Sequence, residues 1–194
     1  MLSLFRTNQL LASVLLIPYA LLLHVGYWLV PLTEAAPIHG IGSFYLQQWL
    51  GQHPVWMPTV VIGLLFIQGV LANLFMFDHR LGPDINLFTG VFVVFLGSLI
   101  PLFLPFAGYH VANIFLLLAL LALMQVYKVN HAADHIFNTG LWLGIASMFQ
   151  VQYLVFLLAA LVGLTLLRKS SLREQLILTL GAFTPWLLVG FGVF

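Results

Sequence analysis

The sequence predicts an all-α, polytopic bundle of about seven transmembrane helices. Three observations predict it. Of 194 residues, 62% are apolar; only 6% are charged; and the few charges gather between long apolar runs. Soluble domains carry roughly a quarter charged residues. Six Lys/Arg and five Asp/Glu cannot wet the surface of a chain this size, so lipid is the expected solvent for most of it. The chain, 1–194, reads as a single transmembrane domain.

A hydrocarbon core of about 30 Å takes about 20 helical residues. Seven runs meet or approach that length: Gln9–Val30, Val55–Phe77, Ile85–Leu104, Val111–Tyr127, Ile136–Gln150, Val151–Leu167 and Leu172–Phe194. The first run follows Arg6 and resembles a signal peptide, but it exceeds the roughly 7–15 residues of an h-region, so it reads as a retained span. The fifth and sixth are short and predict a tight hairpin around Gln150 and Gln152, or a fifth span that begins near Ala132. With seven spans, Arg6, Arg80, Lys128, Arg168, Lys169 and Arg173 all fall on one side. Positive-inside reasoning then places the N-terminus in the cytoplasm and the C-terminus outside.

The connecting segments carry their own signals. "SSLRE" is a capping box, with Ser171 as N-cap and Glu174 three residues on. "RLGPD" ends one helix and precedes the next, and "PFAGY" is the external turn between spans three and four. In the long first external loop, "SFYLQQWLG" predicts a short interfacial helix capped by Ser43 and stopped by Gly51. Phe44, Tyr45 and Trp49 suit the headgroup layer; a plain packing loop is the other reading.

Composition excludes several functions. A net charge of +1 without a basic stripe gives no nucleic-acid surface. With no cysteine there is no disulfide, thiolate nucleophile or cysteine-ligated metal. No Asp, Glu, Lys or Arg falls near the middle of a span, which argues against a pump working through buried carboxylates.

The remaining polar residues give three candidate sites. In "KVNHAADHIF", His131 and His135 at i, i+4 share a helix face, and Asp134 completes a possible metal set. Membrane di-iron oxygenases use several such boxes, whereas this chain has one pair, so a polar helix mouth is preferred and no metal or other cofactor is expected. His24, His110 and Asn113, with external Glu34, form a candidate outward-facing binding pocket; interhelical hydrogen bonding is the plainer role. Gly140 and Gly144, extended by Ser147, make a G-x-x-x-G packing face, within the chain or between subunits.

Two stretches, "HVANIFLLLALLALMQVYKVNHAADHIFNTGLWLGIASMFQ" and "LREQLILTLGAFTP", with the N-terminal "LFRTNQ", resemble an uncharacterised family of multi-spanning bacterial inner-membrane proteins. Its members are often labelled beta-carotene monooxygenase-like. The family pattern carries an aspartate where this chain has Asn138, which removes a catalytic acid there. Members tend to continue with further spans, so this chain is expected to correspond to a short form. The resemblance implies location and fold rather than chemistry. The β-propeller and four iron-bound histidines of soluble carotenoid-cleaving enzymes cannot be built from this chain.

Three functions follow as expectations. The first is a non-catalytic subunit or scaffold of a cell-envelope membrane complex, with membrane lipid and membrane proteins, or a second copy, as partners. The second is a carrier or flippase-like handler of lipid or lipid-linked cargo. The third is a membrane-embedded enzyme, of glycosyl transfer type, on polyprenyl-linked substrates, for which Glu34 in the first external loop is the catalytic candidate.

Overall fold

A computed structural model describes residues 16–25, 40–52, 56–78, 88–99, 106–127, 132–168 and 170–192. These residues are 91% helical and contain no strand. Among the described residues eight α-helices follow one another: α1 (Leu16–Leu23), α2 (Ile41–Gly51), α3 (Trp56–Asp78), α4 (Phe88–Leu99), α5 (Gly108–Met124), α6 (Ala133–Phe149), α7 (Val155–Leu167) and α8 (Leu172–Gly192). Helix is the only regular structure that satisfies the backbone of a long apolar run within itself, and the runs hold many Leu and Ala residues, strong helix formers. Among the described residues, two helices are long and apolar enough to cross a bilayer: Trp56–Asp78 and, within α8, Leu172–Phe191. Phe88–Leu99, Gly108–Met124 and Val151–Leu167 are shorter apolar helices.

Both long helices are apolar on their outer faces too. In α3, Ile67, Leu74 and Phe77 are exposed while Val61 and Leu65 are buried; in α8, Leu176, Leu180, Leu188 and Phe191 are exposed while Leu178 is buried. A helix that is hydrophobic all round requires an apolar surrounding on every side.

The chain divides into two compact units. Unit 1 comprises 1–37 and 45–110. Its core forms where α1 meets α3 and α4: Leu16, Ala20, Ile62 and Val94 are buried together. The α3–α4 pair is antiparallel. A Cβ on Gly69 would lie 3.2 Å from the Gly90 carbonyl oxygen, and one on Gly97 would lie 2.7 Å from the Leu65 side chain. The Asn73 side chain reaches across from α3 and accepts the Gly90 N–H at 2.7 Å, so it caps the start of α4.

Unit 2 comprises 38–44 and 111–194. Leu123, Val126, Ile136, Leu143, Leu164 and Leu178 bring α5, α6, α7 and α8 onto one core. Helices α6 and α8 run parallel and nearly touch. A Cβ on Gly140 would fall on the Leu178 carbonyl oxygen, one on Gly144 on that of Ala182, and one on Gly181 on that of Phe137. Between α6 and α7 the chain turns through an extended Gln150 and a 3-10 turn, Val151–Leu154. The Gln150 amide donates to Gln152 Oε1 at 3.2 Å.

One helix start differs from the sequence expectation, and another falls on the earlier of two expected positions. Ser43 does not cap α2 from outside; the helix begins at Ile41. The buried Ser43 hydroxyl turns back, donating to the Gly40 carbonyl at 2.7 Å and accepting the Gly40 N–H at 3.1 Å. Helix α6 begins at Ala133 with Ala132 as its N-cap, the earlier of the two starts the sequence allows.

Candidate functional site

The polar groups that these helices bury define where chemistry is possible. In unit 1, His24 continues the buried stripe Leu16–Ala20 by one more turn. Its Nδ1 lies 3.0 Å from the Ala20 carbonyl. Nδ1 is therefore the donor, which leaves Nε2 as an acceptor, and that atom is buried without a hydrogen-bond partner. Gln68, near the middle of α3, is buried and donates to the His110 carbonyl at 2.6 Å. The His110 ring is also buried, tilted against Tyr109 with centroids 4.4 Å apart.

Asn113 falls in unit 2, where Tyr153 donates its hydroxyl to the Asn113 side-chain oxygen. This pair closes the start of α5 against the turn after α6. One layer deeper, Phe115 stacks on Trp142 at 5.7 Å and on Phe149 at 5.9 Å. The segment entering α2 presses on the same end: a Cβ on Gly42 would come within 2.9 Å of the Phe149 ring. Amides, a phenol and aromatic faces thus gather there. These groups donate and accept hydrogen bonds, but they include no acid–base pair and no nucleophile set of the kind covalent catalysis needs.

Of the proposed pocket, His24 and His110 belong to unit 1 and Asn113 to unit 2. Glu34 lies outside the described residues, as does His131 of the candidate metal set. Asp134 stands exposed in the first turn of α6, where a carboxylate favours the helix dipole. The half-buried His135 gives its backbone carbonyl to the Thr139 hydroxyl at 2.8 Å. Among the described residues, no three His, Asp or Glu side chains cluster as a metal site.

Gly140 and Gly144 form the floor on which α8 lies. The buried Ser147 hydroxyl donates to the Gly144 carbonyl at 2.6 Å and accepts the Trp186 indole N–H at 2.8 Å. Tyr153 and Trp186 were not singled out as site residues by their sequence positions. Each bonds a residue about forty positions away, and no local pattern encodes such a partner. Separately, Leu116, Ala119, Leu123, Leu143, Phe156 and Ala160 line an apolar cleft between α5, α6 and α7.

No family model, curated protein or solved structure matches the chain.

Proposed function

We propose that the chain is a multi-pass protein of the bacterial inner membrane, with about seven spans, and serves as a non-catalytic subunit or scaffold of a cell-envelope complex. One observation carries the reading. The polar side chains buried among these helices are largely engaged in structural hydrogen bonds: Gln68 to the His110 carbonyl, Trp186 to Ser147, and Ser147 to Gly144. In lipid the two bonds that run between helices, from Gln68 and from Trp186, fix helix pairs at about 0.6 kcal/mol each, while the Ser147–Gly144 bond orients the Ser147 hydroxyl within α6; holding helices together is the work expected of a scaffold.

The proposed topology draws support from unit 2. The start of α5, the end of α6 and the segment entering α2 gather at one end. Val126, Ala132, Ile136, Leu164 and Leu178 gather at the other. The connectors whose sequence carries Lys128, Arg168 and Lys169 leave from that second end, and Arg173 belongs to the first turn of α8, as a cytoplasmic face requires. In α2, Phe44, Tyr45 and Trp49 are exposed, which suits an interfacial helix at the opposite face.

Native purification in mild detergent, followed by mass spectrometry of bound protein, lipid and metal, tests the role. A membrane-protein partner, or a second copy, at fixed stoichiometry is the expected result. Stoichiometric iron or zinc, or lost activity on Glu34→Gln, would instead make the protein an enzyme. The apolar cleft favours a second reading, lipid handling, for which one tightly retained lipid per chain without a protein partner is the signature.

A further inference from the structure

Pro185 stands inside α8, two turns before its end, and the helix has a different character on its two sides. From Leu172 to Thr184 it lies along α6. At Gly140, Gly144 and Gly181 the two backbones come so close that no Cβ fits. Just beyond Pro185 the Trp186 indole Nε1 donates to Ser147 Oγ at 2.8 Å. After it, Leu187, Leu188 and Phe191 are exposed, and a Cβ on Gly190 would meet nothing within 4 Å. Proline has no N–H, so the Gly181 carbonyl loses its helical donor, and the ring crowds that same carbonyl. The ring faces α6, since a Cβ on Gly144 would lie 3.0 Å from Pro185 Cδ. Helices bend at such a point, and they bend away from the proline side.

We propose that α8 is hinged at Pro185, and that the Trp186–Ser147 hydrogen bond is the latch that holds its last two turns onto α6. The latch is well made. Ser147 gives its one proton to the Gly144 carbonyl and offers a lone pair to the indole, so the hydroxyl cannot rotate away without losing both bonds. The arm beyond the hinge therefore has two positions: docked, with the indole on Ser147, or swung out, with the indole turned to its surroundings. The arm before the hinge is pinned by backbone contact and stays in place.

The absence of cysteine makes the test direct. A nitroxide on Phe191→Cys reports the outer arm, and one on Leu176→Cys reports the pinned arm. Ser147→Ala removes the latch and is expected to shift the docked-to-swung ratio at position 191 about fivefold toward the mobile component, with position 176 unchanged. Pro185→Ala restores the missing helical bond and is expected to collapse the spectrum at 191 to one immobile component. If Ser147→Ala leaves 191 unchanged, or mobilises 176 and 191 alike, there is no latch. If Pro185→Ala leaves two components, there is no hinge at that residue. Trp186→Phe, which keeps the ring and removes the N–H, should reproduce Ser147→Ala; an unaltered spectrum would overturn the proposal even if the serine variant folds poorly.

Discussion

A single methyl group separates two kinds of glycine in this chain. At Gly140 the added carbon would collide with the Leu178 carbonyl, which belongs to a helix backbone and cannot move aside. At Gly63, in the exposed surface of α3, it would meet nothing within 4 Å. Overpacking a close contact costs about 1–3 kcal/mol, occasionally more, whereas a helix-interior glycine is about 0.5–1 kcal/mol worse than alanine. Gly140→Ala should therefore lower the thermal midpoint in detergent, and Gly63→Ala should raise it slightly. Equal shifts in the same direction would refute the α6–α8 contact. At this scale the sequence was partly readable. The spacing of Gly140 and Gly144 points to a close helix pair, but nothing local says that the partner is α8 of the same chain. The partners of Asn113 and Ser147 were hidden for the same reason: Tyr153 and Trp186 are brought to them by the fold.

At the scale of one helix, information carried within four residues was the most legible. The Ser171 N–H donates to Glu174 Oε2 at 3.2 Å, and the Glu174 N–H to the Ser171 hydroxyl at 3.4 Å. That is the reciprocal arrangement its S-x-x-E spacing predicts. Arg168 also binds Glu174 Oε1, at 2.8 Å, so one carboxylate ties the end of α7 to the start of α8. Removing the cap with Ser171→Ala should cost about 1 kcal/mol and speed hydrogen exchange at the Leu172–Gln175 amides; unchanged exchange there would mean that the cap contributes nothing. The start of α2 was misread because serine is a common N-cap, yet here it sits inside the first turn and Gly40 stands before it. The turn at Gln150 and Gln152 was readable because two amides break an apolar run where the helix must reverse.

For the whole molecule the strongest expectation concerns sidedness. All-helical architecture was legible from composition, because a chain with so few charges has few other ways to satisfy its backbone. The number of crossings depends on where each helix ends, and those ends are set by prolines, glycines and tertiary contacts as much as by hydropathy. Single cysteines at Arg80, Lys128 and Gln152, probed with a membrane-impermeant maleimide on right-side-out vesicles, decide it. Gln152→Cys should react at once, and the other two only after permeabilisation. Opposite behaviour at positions 80 and 128 would dismantle the seven-span arrangement.

The parallel pairing of α6 with α8 also sets an order of events during synthesis. The groove over Gly140 and Gly144 is complete as soon as α6 is made, but its filling arrives only after α7 has been threaded back. For that interval, bare backbone lies open to whatever passes. A chain truncated after Leu167 would hold that half-built state, which is the moment when a chaperone, an insertase or the wrong helix finds its easiest grip.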